Sequence, residues 1–283
     1  MRHSTIVTRF APSPTGYLHL GHVRSAWEGW HAARAGGGRF LLRIEDIDRG
    51  RCRPEFDAAI GEDLAWLELD WDGEVRRQSE HFADYRAALA QLDAQRLLYP
   101  CFCTRKEIQA EIARADGAPQ GESGPLYPGT CRHLSPSERA DKIAAGGDYA
   151  LRLDVGAALA RTGALDWSED GRCVVADPAV LGDVVLARKD VPTSYHLAVT
   201  VDDALQGVTL VTRGIDLFAA THIHRLLQAL LGLPTPTYRH HPLLTDASGR
   251  RLAKRDRTLT IRAMREAGMN PADVLEKAQS SGR

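Results

Sequence analysis

The sequence has almost no net charge and lacks any long apolar run. Its 36 lysines and arginines nearly balance 37 aspartates and glutamates, for a formal charge of −1, so no overall basic field favours non-specific binding to nucleic acid, although a local basic face is compatible with this balance. No apolar stretch approaches the roughly 20 residues that a membrane-spanning helix needs, and polar residues interrupt the start of the chain. We therefore expect a cytoplasmic protein that does not enter a membrane.

The sequence also lacks internal repeats and low-complexity tracts. With 283 residues, of which 43% are hydrophobic and 26% charged, it has the composition of an ordinary globular protein and the length of one large domain or two modest ones. It contains only five cysteines, an odd number. Clustering of Cys101, Cys103 and Cys131 favours a metal site over a disulfide in a cytosolic chain, whereas Cys52 and Cys173 are interpreted as ordinary thiols.

The first 44 residues predict a βαβ unit. Residues 5–9 are typical of a buried strand, 11–16 of a loop rich in turn formers and 20–35 of a helix that ends at three glycines, after which 39–44 predict a second strand. Two strands joined by a crossover helix form a parallel sheet with a right-handed connection. The sequence therefore predicts an α/β fold.

The composition changes between residue 101 and about 147, where glycine, proline and serine predict an inserted segment with a thin core. Residues 232–283 combine a proline-rich link, a basic loop and one terminal helix. The other expected elements are helices at 53–69, 80–98, 136–145 and 217–231, and strands at 149–153, 174–175, 183–187 and 197–201.

Two histidines, His19 and His22, lie at the start of the helix that follows the first strand. In an open parallel sheet, ligands bind beyond the carboxyl ends of the strands, where helix N-termini attract phosphate. Histidines one turn apart could donate hydrogen bonds to such a phosphate, and Gly21 would allow its close approach. Taken alone, this spacing more often marks two surface histidines, and a metal-binding pair is a further alternative, although no acidic or cysteine partner lies nearby in sequence.

The residues around these histidines resemble the nucleotide-binding signature of class I aminoacyl-tRNA synthetases. His19-Leu20-Gly21-His22 is similar to the usual His-Ile-Gly-His, and the preceding Arg9-Phe10-Ala11-Pro12-Ser13-Pro14-Thr15-Gly16 resembles the glutamate branch of that class. The resemblance implies an α/β fold with a Rossmann-like, doubly wound parallel sheet. It also implies an enzyme that activates L-glutamate with ATP and Mg²⁺ to form glutamyl-adenylate. It assigns His19 and His22 to catalysis and, together with Gly21, to ATP binding.

Class I synthetases also carry a lysine-bearing loop late in the chain, normally Lys-Met-Ser-Lys-Ser. The stretch Arg250-Arg251-Leu252-Ala253-Lys254-Arg255 lies where this loop is expected. By resemblance, Lys254 matches the second lysine, which binds ATP phosphates and is catalytic, and Arg251 replaces the first. Adenylate formation moves negative charge onto the leaving pyrophosphate, so cationic donors on two loops that flank one phosphate chain suit this chemistry.

The resemblance also implies a pocket for glutamate. Arg9 would hold a substrate carboxylate, because a guanidinium can bind a carboxylate through two parallel hydrogen bonds, and Glu45 would accept the substrate ammonium. Such a pocket should reject glutamine, which would leave Arg9 unpaired. His196 stands where the family pattern has asparagine. The complete glutamate-binding set implied by the resemblance is Arg9, Ala11, Ser13, Glu45, Tyr195 and Arg213.

Cys101, Cys103 and Cys131 form a four-residue set with Tyr127, with the spacings Cys-x-Cys and Tyr-x-x-x-Cys. This pattern resembles one branch of the glutamate family and implies one structural Zn²⁺ per chain, which thiolates suit and which would stabilise a segment with a thin core. His133 is the conventional alternative for the fourth ligand, and cysteines without metal are the alternative to a zinc site.

About 29 residues follow Lys254, far fewer than the roughly 100 that a separate anticodon-binding domain would need. This resembles a shortened branch of the glutamate family that activates glutamate without tRNA and transfers it to queuosine at the wobble position of tRNA(Asp). The expected partners are ATP, L-glutamate and the anticodon arm of that tRNA, bound by a monomer. Two alternatives are a shortened glutamyl-tRNA synthetase that charges tRNA(Glu) and a synthetase-like binding protein without catalysis.

The expected domain organisation has four parts. They are the first half of the Rossmann-like catalytic domain (1–98), a zinc-binding insertion (99–147), the second half of the catalytic domain (148–232), and the lysine loop with a short C-terminal helical stem and no anticodon-binding domain (233–283).

Overall fold

The computed structural model describes residues 5–104, 106–108, 110, 120–121, 124–244 and 260–280. The strands are β1 (Val7–Phe10), β2 (Arg39–Ile44), β3 (Arg76–Arg77), β4 (Leu98–Cys101), β5 (Gln120–Gly121), β6 (Gly124–Pro125), β7 (Ala150–Leu153), β8 (Asp166–Glu169), β9 (Arg172–Val175), β10 (Val185–Arg188), β11 (Leu210–Gly214) and β12 (Thr237–His241). The helices are α1 (Leu20–Ala35), α2 (Pro54–Trp66), α3 (Phe82–Ala94), α4 (Pro136–Ala144), α5 (Val155–Thr162), α6 (Tyr195–Leu205), α7 (Phe218–Leu231), α8 (Ile261–Glu266) and α9 (Pro271–Ser280).

Parallel strands form the part of the fold that contains the predicted βαβ unit. β1 pairs with β2 in parallel from Val7↔Arg39 to Phe10↔Leu42, with α1 as the crossover. β3 continues this sheet in parallel on the far side of β2. The structure therefore confirms the βαβ unit that the first 44 residues predict.

A second parallel set lies on the other side of β1. β11 pairs in parallel with β12, β12 pairs in parallel with β8, and β8 turns back into β9 as an antiparallel hairpin. The backbone N–H of Thr209 donates to the Val7 carbonyl (2.9 Å), and the side chain of Arg9 reaches the Thr212 carbonyl (3.3 Å). β1 and β11 therefore run in the same direction, and the carboxyl ends of β1, β2, β11 and β12 open on one edge.

The sheets are mixed rather than parallel throughout. β7 pairs antiparallel with both β4 and β10 in a separate three-stranded sheet. β4 and β7 border residues 102–149 in the sequence and pair antiparallel. The doubly wound parallel sheet therefore describes only part of the fold.

The expected strand at 197–201 is wrong, because these residues lie in α6. The run Leu-Ala-Val-Thr-Val resembles a buried strand because of its β-branched residues, but residues 197–203 are buried on every side of the helix. The hydroxyl of Ser194 caps this helix by accepting from the Leu197 N–H (3.4 Å). Burial all round thus removes the periodicity that would mark a helix.

Three other boundaries differ from the sequence expectation. The helix expected at 80–98 ends at Ala94, because Leu98 already begins β4. The proline-rich link after residue 232 contains β12, a strand of the parallel set. The single terminal helix is a pair, α8 and α9, and α9 packs against α1, where Arg24 donates to the carbonyls of Ala278 (3.4 Å) and Gln279 (3.1 Å).

Two apolar clusters stabilise the elements around the edge where the parallel strands end. One joins α1, β2 and α2 to the C-terminal helices, with Phe40, Leu64 and Ile261 at its centre. The other joins α3, α5, α6 and α7, with Leu197 and Ile223 fully buried. Among the described residues, no helix combines the length and apolarity needed to cross a membrane.

Candidate active site

A cavity of about 710 Å³ opens beyond the carboxyl ends of β1, β2 and β11. Its walls come from the loop after β1, the first turn of α1, the end of β2, the start of α6 and the segments after β11 and β12. The residues of the predicted site that line it are Arg9, Ala11, Ser13, His19, Gly21, His22, Glu45, Tyr195 and Arg213. Two predicted ATP-site residues, Arg251 and Lys254, lie outside the described residues.

Backbone hydrogen bonds fix the proline-rich loop between β1 and α1. The carbonyl of Pro12 accepts from the Glu45 N–H (3.0 Å), and the carbonyl of Pro14 accepts from the Arg53 N–H (3.0 Å). Each proline has a restricted φ angle, so the loop has few conformations to lose on folding. The carbonyl of each proline remains available as an acceptor. The loop is thereby tied to the end of β2, which places Ala11 and Ser13 on the cavity wall.

The two histidines of the signature form a reciprocal cap at the N-terminus of α1. Nδ1 of His19 accepts from the Gly21 N–H (3.1 Å), and Nδ1 of His22 accepts from the His19 N–H (3.2 Å). Because both Nδ1 atoms are acceptors, each neutral ring carries its proton on Nε2, away from the backbone. The centroids of the two rings are 3.9 Å apart. Both residues line the cavity, as expected of two donors for an anion at a helix N-terminus.

Two described residues that border the stretch 245–259 in the sequence, Leu244 and Thr260, contribute to this part of the structure. Leu244, the last described residue before that segment, is buried and lines the cavity. On the far side, Thr260 forms a β-bridge with His19, and the Ile261 N–H donates to the Leu18 carbonyl (2.9 Å). The described residues on either side of the stretch that contains Lys254 are therefore Leu244, in the cavity wall, and Thr260, beside His19.

Arg9 presents a fork of donors to the cavity. Its Nε and Nη2 donate to the two carboxylate oxygens of Asp203 (2.9 and 3.4 Å), and its Nη1 donates to the Thr212 carbonyl (3.3 Å). These bonds use three of its five N–H groups and leave one on each terminal nitrogen, an arrangement that suits a carboxylate. Burial opposes ionisation of Asp203, but Arg9 and Arg43 outweigh it and lower the pKa of this carboxyl.

Glu45 supplies a buried acceptor close to Arg9. The Nη2 of Arg43 donates to Glu45 Oε1 (3.2 Å), and the same guanidinium donates to Asp203 (2.8 Å) and Gln206 (2.9 Å). Burial raises the pKa of Glu45, although Arg43 and Arg9 oppose this shift. A cationic ligand group in the cavity would favour the carboxylate form and bind to it.

Arg213 and Tyr195 form a second pair of donors. Nη1 of Arg213 donates to the Tyr195 hydroxyl (3.2 Å) and to His224 (3.2 Å), while its Nε and Nη2 donate to His240 and Thr221. Since the tyrosine oxygen accepts from Arg213, its own O–H is directed to another acceptor. Among the described residues these bonds leave one Nη2 hydrogen and the tyrosine O–H as donors for a ligand.

Gly214 allows the cavity wall to close tightly after β11. A Cβ at this position would lie 2.5 Å from the Asp216 carboxylate oxygen and 3.0 Å from Leu243. Both neighbours line the cavity, so a side chain here would displace its wall. Space rather than backbone conformation therefore favours glycine at this position, since a larger residue would have to displace the Asp216 and Leu243 side chains.

The cavity thus combines groups that suit an α-amino acid and a polyphosphate. Two arginine-centred donor sets can hold two carboxylates, a buried glutamate can accept an ammonium, and histidine donors at a helix N-terminus can bind phosphate. Bringing two anions together in one site requires such preorganised donors, because the reactants repel each other.

Three thiols lie close together where β4 ends. The sulfurs of Cys101, Cys103 and Cys131 are all within 4.8 Å of one another, and Cys103 and Cys131 are 3.4 Å apart. The hydroxyl of Tyr127 lies 3.7 Å from the Cys103 sulfur and accepts from the Cys131 N–H (2.9 Å). His133 is exposed. Sulfurs on one tetrahedral zinc lie about 3.8 Å apart, so this cluster could hold a metal ion.

The pKa values of two thiols in this cluster shift in opposite directions. Burial raises the pKa of Cys103 to about 12. It also opposes ionisation of Cys101, but hydrogen bonds from Tyr127 and Arg152 outweigh it and lower the pKa of that thiol. The guanidinium of Arg152 lies 3.9 Å from the centre of the Tyr127 ring. A bound cation would favour the thiolate form of all three sulfurs.

Several residues that hold the cavity side chains carry no role in the motifs of the sequence. Asp203 and Arg43 are both buried; Asp203 fixes Arg9 from 194 positions away in the sequence, whereas Arg43 holds Glu45 from only two positions away. His240 and His224 contact Arg213. Consecutive buried acidic residues before an arginine-bearing strand are the one sequence signal that could have identified Asp203, whereas nothing in the sequence pairs either histidine with Arg213.

The fold and the cavity define a catalytic domain of a class I aminoacyl-tRNA synthetase. Residues 5–282 match the family model described as "tRNA synthetases class I (E and Q), catalytic domain". Among solved structures, a glutamate tRNA ligase from Elizabethkingia meningosepticum, in complex with its amino acid, is 29% identical with a TM-score of 0.73. That match covers 89% of this chain but only 52% of the ligase, so the chain spans about half of that protein's length.

Two curated relatives narrow the assignment. The glutamyl-Q tRNA(Asp) synthetase of Rhodobacter capsulatus is 48% identical over 95% of this chain and 98% of the relative. That of Deinococcus radiodurans is 46% identical over 96% of this chain and 87% of the relative. The chain belongs to the glutamyl-Q tRNA(Asp) synthetase family, which makes it a ligase-type enzyme that activates and transfers glutamate, and membership of this class implies ATP, glutamate and a tRNA as partners.

Proposed function

We propose that the enzyme activates L-glutamate with ATP in the absence of tRNA and transfers the glutamyl group to queuosine at the wobble position of tRNA(Asp). The observation that carries the amino-acid part is the pair of N–H groups left on Arg9 by its bonds to Asp203 and Thr212. The acceptor part is supported by the names of the relatives that match nearly end to end.

Glutamate would occupy the wall formed by Arg9, Ala11, Ser13, Glu45, Tyr195 and Arg213. The Arg9 fork would bind one carboxylate, and Glu45 would accept the ammonium. Arg213 and Tyr195 supply one donor each for the second carboxylate. Glutamine presents an amide N–H₂ where Arg9 requires an acceptor, so this arrangement selects against it.

ATP would occupy the side of the cavity that is next to α1. His19, Gly21 and His22 would hold phosphate oxygens at the helix N-terminus, with His19 and His22 as catalytic donors. Arg251 and Lys254, of which Lys254 would be catalytic, would supply further cationic donors from the stretch that follows Leu244 in the sequence, and Leu244 itself lines the cavity. Mg²⁺ bound with ATP would neutralise part of the charge on the leaving pyrophosphate.

The substrate carboxylate then attacks the α-phosphorus, and the bond from that phosphorus to the bridging oxygen of pyrophosphate breaks. The chain contributes position and charge rather than a nucleophile. In the second step, a hydroxyl of the queuosine cyclopentene diol attacks the glutamyl carbonyl, and AMP leaves. This diol resembles the terminal ribose diol that class I sites acylate, so the anticodon arm can enter the same cavity.

The cysteine cluster would hold one structural Zn²⁺ through Cys101, Cys103, Cys131 and Tyr127. The 3.7 Å approach of the Tyr127 hydroxyl to Cys103 favours it over the exposed His133 as fourth ligand. The proposed organisation keeps a zinc-binding insertion at 99–147 between catalytic halves at 1–98 and 148–232, with a C-terminal helical stem within 233–283. We propose that the enzyme acts as a cytoplasmic monomer.

Exchange of radioactive pyrophosphate into ATP tests the activation step. The proposal expects exchange that depends on glutamate, does not require tRNA and is not supported by glutamine. Exchange that appears only after tRNA is added would contradict the tRNA-independent step, and no exchange under either condition would favour a binding protein without catalysis.

An anticodon stem-loop tests the acceptor separately. A synthetic stem-loop of tRNA(Asp) with queuosine at the wobble position should accept glutamate although it has no 3′ end, whereas the same stem-loop with guanosine should not. The similarity to a glutamate tRNA ligase favours a second candidate, a shortened enzyme that charges tRNA(Glu). That enzyme would leave both stem-loops unmodified.

A further inference from the structure

Besides Tyr195, three side chains accept hydrogen bonds from the guanidinium of Arg213. Its Nε donates to His240 Nε2 (3.1 Å), its Nη1 donates to His224 Nδ1 (3.2 Å), and its Nη2 donates to Thr221 Oγ1 (2.6 Å). Arginine can only donate, so each of these atoms must act as an acceptor. Acceptors on two different elements, β12 and α7, therefore fix the orientation of the guanidinium.

The acceptor role of His240 depends on a carboxylate behind it. Because Nε2 accepts from Arg213, the proton of the neutral ring is on Nδ1, which donates to Glu169 Oε2 (2.9 Å). Glu169 also accepts from the His240 backbone N–H (2.9 Å) and from the Trp167 indole N–H (3.2 Å). Burial and the neighbouring Arg213 hold the pKa of His240 at about 4, although Glu169 opposes this. The ring is thus neutral with a single tautomer.

A second histidine pair supports the other side of the guanidinium. With its Nδ1 accepting from Arg213, His224 carries its proton on Nε2, which donates to His196 Nδ1 (3.2 Å). Burial lowers the pKa of His196 to about 4 and holds that of His224 well below its usual value, so both rings are neutral. His196, the residue that stands in place of the family asparagine, is therefore linked to Arg213 through His224.

We propose that Glu169, His240 and Thr221 are positioning residues for glutamate: they hold Arg213 so that its remaining Nη2 hydrogen and the Tyr195 hydroxyl meet one carboxylate of the substrate. The inference rests on the proposed function of the cavity. None of the three lines the cavity, so each acts through Arg213 rather than on the substrate.

The chain of contacts gives the edge hairpin a role in substrate affinity. Glu169 ends β8, the strand that pairs with β12 only at Tyr238↔Glu169. Its carboxylate connects that outer strand to His240, and His240 connects it to Arg213. Precise placement of an arginine matters because a small displacement of a charged donor weakens its bond to a bound carboxylate.

The test compares two substitutions of His240 in glutamate-dependent pyrophosphate exchange. His240→Leu removes the acceptor for the Arg213 Nε–H, whereas His240→Gln can place an amide oxygen near the position of Nε2. We expect His240→Leu to raise the KM for glutamate by on the order of tenfold or more, as for a lost hydrogen bond to a charged group. The KM for ATP and kcat should change by less than about twofold on the same reasoning, and His240→Gln should recover most of the affinity.

Two further variants keep the test decisive if His240→Leu does not fold. Thr221→Val removes the Oγ1 acceptor at constant volume and should also raise the KM for glutamate alone. Arg239→Gln is the matched control. It removes the exposed ion pair between Arg239 on β12 and Asp170 in the turn after β8 (2.9 Å) and should leave both KM values and kcat unchanged.

Equal KM values for glutamate in the wild type, His240→Leu and Thr221→Val would overturn the positioning role and leave the proposed function intact. An effect of Arg239→Gln as large as that of His240→Leu would also overturn it, since the loss would then come from the hairpin as a whole. A wild-type enzyme without glutamate-dependent exchange would instead refute the proposed function, and the inference with it.

Discussion

Asp63 is a buried carboxylate that should reduce the stability of the enzyme at neutral pH. It lies on α2 and is 2% exposed, and its Oδ2 has no hydrogen-bond partner among the described residues. Burial raises the pKa of Asp63 to about 6, with Arg265 too weak a counter-charge to prevent this. Relative to an ordinary aspartate pKa near 3.9, this difference corresponds to a free-energy cost of about 3 kcal/mol for ionising Asp63 in the folded protein.

The sign of the pH dependence follows from proton binding in the two states. Between about pH 4 and pH 6 the folded protein keeps the Asp63 proton while the unfolded chain releases it, so the free energy of unfolding decreases as the pH rises through this window. Asp63→Asn removes the ionisation. We expect this variant to be more stable than wild type by up to about 3 kcal/mol at pH 7.5 and by only about 1 kcal/mol at pH 4.5.

Urea unfolding at both pH values measures these differences as free energies of unfolding. Glu62→Gln, at the exposed neighbouring position on the same helix, is the matched control: it keeps Asp63 and removes only a minor contribution to its raised pKa, so it should retain most of the wild-type pH dependence. A variant Asp63→Asn that is no more stable than wild type at pH 7.5 would refute the reasoning, because the ionised carboxylate would then cost nothing.

Three further predictions concern the cavity and the cysteine cluster. Arg9→Lys keeps a charge but loses the fork, so kcat/KM for glutamate should fall by roughly 10- to 100-fold in pyrophosphate exchange, as for lost charge-assisted bonds; an unchanged value would remove Arg9 from the site. Gly214→Ala should lower the same constant while the protein stays folded by circular dichroism, because its Cβ would meet Asp216 at 2.5 Å; wild-type activity would show that the wall can yield. Elemental analysis should find one zinc per chain in the wild type and less than one in Cys103→Ser, with a lower melting temperature; metal-free wild-type protein of equal stability would argue for plain thiols.

The local parts of the fold could be predicted from the sequence, because short-range patterns determine them. The βαβ unit has a strand, a glycine-terminated helix and a second strand within 44 residues, and all three lie where the sequence predicts them. The run at 197–201 misled because complete burial erases helical periodicity. β12 was missed because the prolines that flank it and its own polar residues resemble a linker, and only its pairing with β11 makes it a strand.

The side chains that line the candidate site could be named from motifs, whereas the residues that orient them could not. Arg9 and His22 lie in one contiguous segment, which a pattern can detect. The pairing of Arg9 with Asp203 spans 194 positions, and that of Arg213 with His240 requires the register of β11 on β12. Such contacts arise only from the folded topology, so neither composition nor spacing indicates them.

Transfer of radioactive glutamate to purified tRNA tests the central claim most directly. Three acceptors are compared: tRNA(Asp) that contains queuosine, tRNA(Asp) that contains guanosine at the same position, and tRNA(Glu). We predict stable labelling of the queuosine-containing tRNA(Asp) alone. Labelling of tRNA(Glu) alone would contradict the claim and identify a shortened enzyme that charges the 3′ end.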